Sequence, residues 1–276
     1  MSTDHGIIAS VLTPHTPRMA VADKVPEFIE PLVEGSKQLG DWIRSLQPDC
    51  VVLQTTHWVS TFNWYATSHA THEGVCIADE APDMVPGLPY QYRGDPDFAS
   101  GLIGSGEVQG IPFKNNDNPH FRWDYGTYVP LKYIDPDAEL RIVTIPTVIL
   151  ANLEECLAVG RLVDSVAKAQ GKRVVFIAST ALSHALVRGP SQWPTPEEQQ
   201  LDSRLTELIC AGEIDQAIGW LPEYVKAATA EMGGRVVAGF FGAASALSKT
   251  QLHGRTFGEY AQSSGSGNHS IVVSIG

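Results

Sequence analysis

Three histidines stand close behind apolar runs that are typical of buried strands: His15 behind residues 6–12, His57 behind residues 50–53 and His184 behind residues 173–178. A neutral imidazole is the commonest ligand for transition metals in proteins. Open α/β sheets bind their ligands at the carboxyl ends of their strands, where these side chains would lie together. The pattern therefore predicts three imidazoles on one rim of a sheet, with His15 and His57 as the first candidates for metal ligands.

Two imidazoles need a further ligand if they are to hold an oxygen-activating metal. Iron sites of this kind use two histidines and one carboxylate on one face of the metal, which leaves open positions for substrate and dioxygen. Glu231 is the strongest candidate, because it lies between a predicted helix and the flexible Gly233-Gly234 pair. The alternative is an ordinary solvated glutamate at a helix end. Glu223 and Glu259 are weaker rivals for the same role.

The segments that carry the first two histidines form a strand–helix–strand unit. Apolar residues recur at helical spacing over residues 26–46, between the two apolar runs. Such a unit is typical of a parallel sheet with a right-handed crossover, so we expect His15 and His57 on neighbouring parallel strands. A helix over residues 153–169, followed by the apolar run at 173–178, repeats the pattern.

The remaining segments fit the same fold. Residues 194–209, with Thr195 as the N-cap, and residues 236–247 are predicted helices, and residues 268–275 are a predicted strand. Internal repeats and interdomain linkers are absent from the sequence. We therefore predict a single α/β domain over residues 1–276, with a mixed, mostly parallel central sheet flanked by helices.

Three segments are rich in turn-forming residues. Residues 79–94 and 110–122 contain many Pro, Gly, Asn and Asp residues, which predicts long surface loops of the kind that often border a site. Residues 101–110 have G-x-x-G-x-G spacing but do not follow a clear strand. We therefore assign them to a turn and not to a phosphate-binding loop.

The composition excludes several classes of partner. Thirty-one acidic residues against nineteen basic ones give a formal net charge of −12, so nucleic acids and anionic membrane surfaces are repelled. The apolar runs are shorter than the ~20 residues that span a bilayer, so we expect no membrane partner. The first residues lack the basic start and long apolar centre of a secretory signal, which predicts a cytoplasmic protein.

Four short motifs, taken in order, resemble a known enzyme family. They are Ser10-Val11-Leu12-Thr13-Pro14-His15, Thr56-His57, Asp124-Tyr125-Gly126 with Val129-Pro130-Leu131, and Ser183-His184. Together they resemble the class III extradiol ring-cleaving dioxygenases, related to the catalytic subunit of protocatechuate 4,5-dioxygenase. The resemblance runs from residue 7 to about residue 245.

The resemblance implies a cofactor, a reaction and a set of roles. The implied reaction opens the ring of a small aromatic substrate next to its two heteroatoms and incorporates both atoms of O2. The implied partners are this substrate and O2, with assembly as a homo-oligomer or together with a related subunit. The implied residues are the Fe(II) ligands His15, His57 and Glu231, the catalytic acid and base His184, and the further active-site residues Asp124 and Tyr125.

The chain departs from the common family pattern at one position. The family usually has Asp-His-Gly where this sequence has Asp124-Tyr125-Gly126. With an unperturbed pKa of ~10, a tyrosine exchanges protons at neutral pH less readily than a histidine. The same replacement resembles the 2-aminophenol 1,6-dioxygenase branch, which makes aminophenols as well as catechols candidate substrates.

Other functions remain open at this stage. A serine hydrolase is disfavoured, because no G-x-S-x-G motif surrounds Ser179 or Ser183. A zinc-dependent hydrolase that uses the same pair, His15 and His57, is an alternative, since residue types alone do not distinguish iron from zinc. A non-catalytic companion subunit of a dioxygenase is a further alternative, although such a copy has no chemical reason to keep His184 as well.

Overall fold

Ten strands and seven α-helices occur in the part of the chain that the computed structural model describes, residues 5–189, 192–247 and 252–275. The strands are β1 (Gly6–Thr13), β2 (Cys50–Ser60), β3 (Trp64–Thr67), β4 (Thr71–Ile77), β5 (Pro86–Gly94), β6 (Phe113–Asn116), β7 (Arg141–Val148), β8 (Arg173–Ser179), β9 (Leu252–Ser263) and β10 (Ser266–Ile275). The helices are α1 (Glu30–Ser45), α2 (Pro96–Val108), α3 (Tyr125–Ile134), α4 (Leu153–Ala169), α5 (Pro196–Cys210), α6 (Ile214–Ala227) and α7 (Arg235–Ser245).

Eight of these strands form one sheet in the order β4-β5-β7-β2-β8-β1-β10-β9. The five consecutive strands β5, β7, β2, β8 and β1 pair in parallel. The pairs β4–β5, β1–β10 and β10–β9 are antiparallel. Strands β3 and β6 form a separate parallel pair. The prediction of an α/β domain with a mixed, mostly parallel sheet flanked by helices is confirmed.

Helices cover both faces of the sheet because the central strands are apolar on both sides. Successive residues of a strand point to opposite faces. Val52 and Phe176 enter the apolar cluster beneath α2, α4, α5, α6 and α7. Val51 and Ile177 enter the second cluster, beneath α1 and α3. The alternation fixes the two-sided core that holds the carboxyl ends of the strands in place.

Two predictions about the strands that carry the histidines were wrong. Strands β1 and β2 are not neighbours, because β8 lies between them in the sheet. Strand β2 is also longer than predicted and includes His57, which we expected beyond its end. The pairing of β2 with β7 shifts register between Gln54 and Val59. Residues 54–57 in this irregular stretch are polar, so a prediction based on apolar runs ended the strand too early.

The segments assigned to turns also need correction. Residues 101–110, expected as a turn, lie largely in helix α2, whose N-cap Asp95 accepts a hydrogen bond from the backbone N–H of Phe98. The expected loop at 79–94 contains β5, and the expected loop at 110–122 contains β6. Pairing with neighbouring strands supplies the backbone hydrogen bonds that local composition did not predict. Within the described residues, none of the helices is both long and apolar enough to cross a bilayer.

Helices α4 and α7 pack backbone against backbone. A Cβ atom added at Gly160 of α4 would lie 2.3 Å from the carbonyl oxygen of Gly239 and 2.4 Å from the backbone nitrogen of Ala243. A Cβ atom at Gly242 of α7 would lie 2.0 Å from the carbonyl oxygen of Leu157. Because α7 starts at Arg235, directly after the 3-10 turn Glu231–Gly234, this close approach also limits where the carboxylate of Glu231 can lie.

Gly160→Ala should lower the free energy of unfolding by about 1–3 kcal/mol, because its methyl group meets backbone atoms that cannot rotate away. Gly104→Ala is a matched control, since it also lies in a helix and a Cβ atom there meets nothing within 4 Å. This control should gain about 0.5–1 kcal/mol from improved helix propensity. Urea denaturation measures both values, and equal effects of the two variants would contradict the packing argument.

Candidate metal centre

The side chains of His15, His57 and Glu231 converge at the carboxyl end of the sheet. The Nε2 atoms of the two histidines lie 3.1 Å apart. The Oε1 atom of Glu231 lies 3.4 Å from Nε2 of His15 and 3.7 Å from Nε2 of His57. One ligand atom from each residue therefore lies within 4.8 Å of the other two. Two imidazole nitrogens and one carboxylate oxygen form a donor set that suits a divalent transition metal.

Three separate elements bring these side chains together. His15 follows β1 by two residues, and His57 lies in β2. The intervening strand β8 ends at Ser179, so the two histidines meet beyond its last residue. Glu231 comes from the 3-10 turn Glu231–Gly234, in which Met232, Gly233 and Gly234 all have positive φ. The Gly233-Gly234 pair, which the sequence analysis described as flexible, thus adopts the left-handed backbone that glycine permits.

Glu231 is buried, with 3% of its surface exposed, and both of its carboxylate oxygens accept hydrogen bonds. Thr56 Oγ1 donates a hydrogen bond to Oε1 at 2.9 Å. The backbone N–H of Ala181 and the hydroxyl of Thr180 donate to Oε2 at 2.7 and 3.2 Å. Burial alone would raise the pKa of Glu231, but the nearby histidines, His15 first, hold it well below its usual value. Glu231 is therefore ionised at neutral pH. The rival candidates Glu223 and Glu259 are both solvent-exposed.

A serine at the end of β8 fixes the tautomer of His15. Ser179 Oγ lies 3.0 Å from His15 Nδ1 and donates its own proton to the carbonyl oxygen of Gly126. Since that proton is committed, Ser179 must accept the proton of His15 Nδ1–H. The lone pair of His15 then lies on Nε2, the atom that faces His57 and Glu231. An outer hydrogen-bond partner of this kind is usual for metal-binding histidines.

His57 is held in its neutral form by its surroundings. Burial and the neighbouring His15 lower the pKa of His57 to about 3, against an opposing effect of Glu231. A neutral imidazole keeps a lone pair for metal binding at pH 7. The Oε1 atom of Glu80 lies 3.8 Å from Nδ1 of His57, the ring nitrogen that does not face His15.

His184 and Tyr125 lie beside the three converging side chains, in a cavity of about 390 Å³. His184 Nε2 is 3.8 Å from Oε1 of Glu231. The ring of Tyr125 packs on His57 with a centroid distance of 4.0 Å. Both side chains, like His15 and His57, line the cavity. His15, His57 and His184, which the sequence analysis placed on one rim of the sheet, therefore line one cavity in the structure.

Asp124, expected among the catalytic residues, has a different setting. It is the N-cap of α3, where Oδ1 accepts a hydrogen bond from the backbone N–H of Thr127 at 3.0 Å and Oδ2 accepts one from the Thr127 hydroxyl. Its Oδ1 also accepts a hydrogen bond from Thr55 Oγ1 at 2.8 Å, which ties α3 to β2. Asp124 is not among the described residues that line the cavity. These contacts hold the first turn of α3, which begins at Tyr125, against β2.

A second buried carboxylate, which sequence reasoning missed, organises the segment before His184. Asp202 of α5 accepts hydrogen bonds from the backbone N–H and the hydroxyl of Ser183, at 3.1 and 2.7 Å. The hydroxyls of Tyr224 and Tyr260 donate to it at 2.8 and 2.7 Å. Burial raises the pKa of Asp202, although these donors oppose the rise. The sequence shows only that Asp202 lies in a predicted helix. Its role was not predictable because its hydrogen-bond partners come from other segments of the chain.

Ser179→Ala should raise the dissociation constant for Zn²⁺ by about 10–100-fold, because His15 loses the acceptor that fixes its tautomer. Ser10→Ala is a matched control, since Ser10 is also a buried serine in a central strand and donates to the carbonyl oxygen of Phe240. Each variant should lose about 1 kcal/mol of stability, but only Ser179→Ala should lose metal affinity. Chelator competition gives the affinities, and equal dissociation constants for the two variants would contradict the assignment.

Comparisons with known proteins give several distant relatives. The chain is 24% identical over 200 residues to 3,4-dihydroxyphenylacetate 2,3-dioxygenase from Escherichia coli, covering 70% of this chain and 72% of that protein. It is 25% identical over 253 residues to the beta subunit of 2-aminophenol 1,6-dioxygenase from Pseudomonas sp, covering 82% and 81%. The alpha subunit of the same enzyme is 25% identical over 239 residues, covering 82% and 85%.

A solved structure has the same fold. The crystal structure of an uncharacterized protein from Escherichia coli K12 superposes with a TM-score of 0.69 at 18% identity, covering 98% of this chain and 100% of that chain. Residues 9–272 match the family described as the catalytic LigB subunit of aromatic ring-opening dioxygenase, and this range includes every side chain of the candidate centre. The chain therefore belongs to the LigB family of aromatic ring-opening dioxygenases.

Proposed function

We propose that this protein is an Fe(II)-dependent extradiol dioxygenase that opens the ring of a small catechol or 2-aminophenol with O2. The observation that carries the proposal is the convergence of His15, His57 and Glu231 beside a cavity of about 390 Å³. Two histidines and one carboxylate on one face of iron leave open positions for substrate and dioxygen. Family membership supports a metal-dependent ring-opening reaction, and the choice of iron is the finer part of the proposal.

The donor set fits the proposed ion. Glu231 contributes one negative charge. His15 and His57 each have Nε2 directed towards the carboxylate of Glu231. Bound Fe(II) would supply Lewis acidity towards the ortho heteroatoms of the substrate and electron-transfer chemistry towards O2. The three hydrogen bonds that Glu231 accepts hold its carboxylate beside the two imidazoles.

His184 is the proposed acid and base of the reaction. Burial lowers the pKa of His184 below its ordinary value, although Glu231 opposes this effect, so its imidazole is neutral at pH 7. A neutral imidazole on the cavity wall accepts the proton of a substrate hydroxyl and returns it later in the reaction. Its backbone pairs with Ser266, and Ser183 pairs with Ala230, so the residue is anchored from both sides.

Tyr125 acts as a hydrogen-bond donor in this proposal and does not transfer a proton. Burial and the nearby carboxylates raise the pKa of Tyr125 above its already high ordinary value. The hydroxyl therefore stays protonated throughout the physiological range. The ring packs on His57 and lines the cavity, which supports a role for this donor towards a substrate bound there. Asp124 contributes by capping α3 and holding Tyr125 in place.

The relatives also bear on substrate and assembly. They include both subunits of 2-aminophenol 1,6-dioxygenase, which supports aminophenols as candidate substrates and a related subunit as a candidate partner. A homo-oligomer is the alternative assembly. A non-catalytic companion subunit would not need His15, His57 and His184 together, so we assign the catalytic role to this chain.

His57→Ala should abolish Fe(II) retention, whereas His184→Ala should keep the iron and lower kcat by about 10²–10⁴-fold, the usual contribution of a general acid–base residue. The test is anaerobic reconstitution with Fe(II), iron quantification, and oxygen uptake on 2-aminophenol, catechol and protocatechuate. His120→Ala, a change at an exposed histidine, is the control and should alter neither quantity.

Two results would contradict these assignments. Loss of iron in His184→Ala together with retention in His57→Ala would exchange the two roles. A wild-type protein that retains zinc in place of iron, and consumes no oxygen with any of the three substrates, would favour the zinc-dependent hydrolase.

A further inference from the structure

The imidazole of His184 has no hydrogen bond of its own to any of the described residues. The Oε1 atom of Glu231 lies 3.8 Å from its Nε2, which is beyond hydrogen-bond distance. A general acid and base has to accept and return a proton, so a ring without permanent partners suits that role. The position of the ring is then determined by the backbone that carries it.

Ser183, the residue before His184, is fully hydrogen-bonded and completely buried. Its backbone N–H and its hydroxyl both donate to the carboxylate of Asp202, at 3.1 and 2.7 Å. Its carbonyl oxygen accepts a hydrogen bond from the backbone N–H of Gly267 at 2.9 Å. All three polar groups of Ser183 are therefore engaged, which fixes the backbone from which the side chain of His184 extends.

The carboxylate of Asp202 is itself held rigidly. It is completely buried in α5 and accepts two further hydrogen bonds, from the hydroxyls of Tyr224 and Tyr260, at 2.8 and 2.7 Å. An ionised carboxylate has lone pairs for all four donors. Burial of this group is costly unless its hydrogen bonds are satisfied in this way. The two tyrosines thus fix the carboxylate, and the carboxylate fixes Ser183.

Strand β10 closes this hydrogen-bonded cluster at Gly267. A Cβ atom at Gly267 would lie 2.1 Å from Oδ2 of Asp202, 2.1 Å from the hydroxyl oxygen of Tyr260 and 2.8 Å from Oγ of Ser183. The absence of a side chain therefore lets the backbone of β10 approach closely enough to bind the carbonyl oxygen of Ser183. Asp202 and Ser183 have no free space into which they could shift.

We propose that Asp202 is the positioning residue for His184: its carboxylate holds Ser183, and the fixed backbone of Ser183 directs the imidazole into the cavity. This inference rests on the proposed function, in which His184 is the acid and base. Asp202 is not among the described residues that line the cavity, so it acts through His184 and not on the substrate. Its loss should therefore affect the rate of the reaction more than the binding of metal or substrate.

Asp202→Asn replaces one acceptor oxygen with a nitrogen that only donates. In the Fe(II)-loaded enzyme, kcat for oxygen uptake should fall about 10–100-fold, the usual cost of misplacing a catalytic group by about 1 Å. KM and iron content should stay close to wild type. Asp164→Asn is a matched control, since Asp164 is also a buried helical aspartate and accepts the backbone N–H of Ile7 at 3.0 Å, at the opposite end of the sheet. This control should keep the wild-type kcat.

The same substitution in a His184→Ala background shows whether Asp202 acts through His184. Here Asp202→Asn should lower kcat no further, because a side chain that is absent cannot be misplaced. Equal falls in both backgrounds would show a general structural effect and overturn the proposal, as would a wild-type kcat in Asp202→Asn. If Asp202→Asn does not fold, Ser183→Ala takes its place, since it removes only the hydroxyl bond to Asp202 and should give the same pattern with a smaller fall.

NMR spectra of the histidine rings in the metal-free protein test the position of His184 without turnover. The signals of His184 are identified by their loss in His184→Ala. Asp202→Asn should shift or broaden them, whereas Asp164→Asn should leave them unchanged. Unchanged signals in Asp202→Asn overturn the proposal. A wild-type protein that consumes no oxygen would contradict ring opening, but these spectra would still decide whether Asp202 positions His184.

Discussion

The ionised carboxylate of Glu231 is the constraint on which the arrangement of the site depends. A buried charge is costly unless it is hydrogen-bonded and electrostatically compensated. Thr56 from β2, and Thr180 and Ala181 from the segment after β8, supply the hydrogen bonds. Protonation of a neighbouring imidazole, His15 first, would add favourable electrostatics to these hydrogen bonds. The carboxylate therefore fastens together segments that are far apart in sequence, and the close packing of α4 on α7 limits where it can lie.

Much of this organisation follows from the sequence, and the limits have physical reasons. The apolar run at 6–12 and the helix at 153–169 are recognisable because their periodicity depends on local spacing alone. The insertion of β8 between β1 and β2 depends on the order of strands in the sheet, which local patterns do not encode. For the same reason the role of Ser179 was not predictable. Ser179 acts through its hydrogen bonds to His15 and Gly126, which are distant in the chain.

The Asp124-Tyr125-Gly126 motif shows how one stretch of sequence combines architecture and chemistry. Asp124 caps α3 and binds Thr55 of β2, while the carbonyl oxygen of Gly126 accepts the proton of Ser179. A Cβ atom at Gly126 would lie 2.4 Å from Thr55 Oγ1 and 3.1 Å from Cδ2 of His57. The flanking residues are therefore constrained by packing and hydrogen bonding. Only the central side chain, Tyr125, faces the cavity, so the chemistry can vary there without disturbing the framework.

The charges that line the cavity are more evenly balanced than those of the whole protein. A divalent ion bound by one carboxylate and two neutral imidazoles would leave a net single positive charge, which favours the phenolate form of a bound substrate. On the cavity wall Arg18 carries a positive charge, and Glu80, which lies beside the neutral His57, carries a negative one. With a net charge of −12, the outer surface repels anions over long distances, but salt screens that repulsion beyond about 8–10 Å. The groups inside the cavity lie within this distance of one another, so they determine the electrostatic field there.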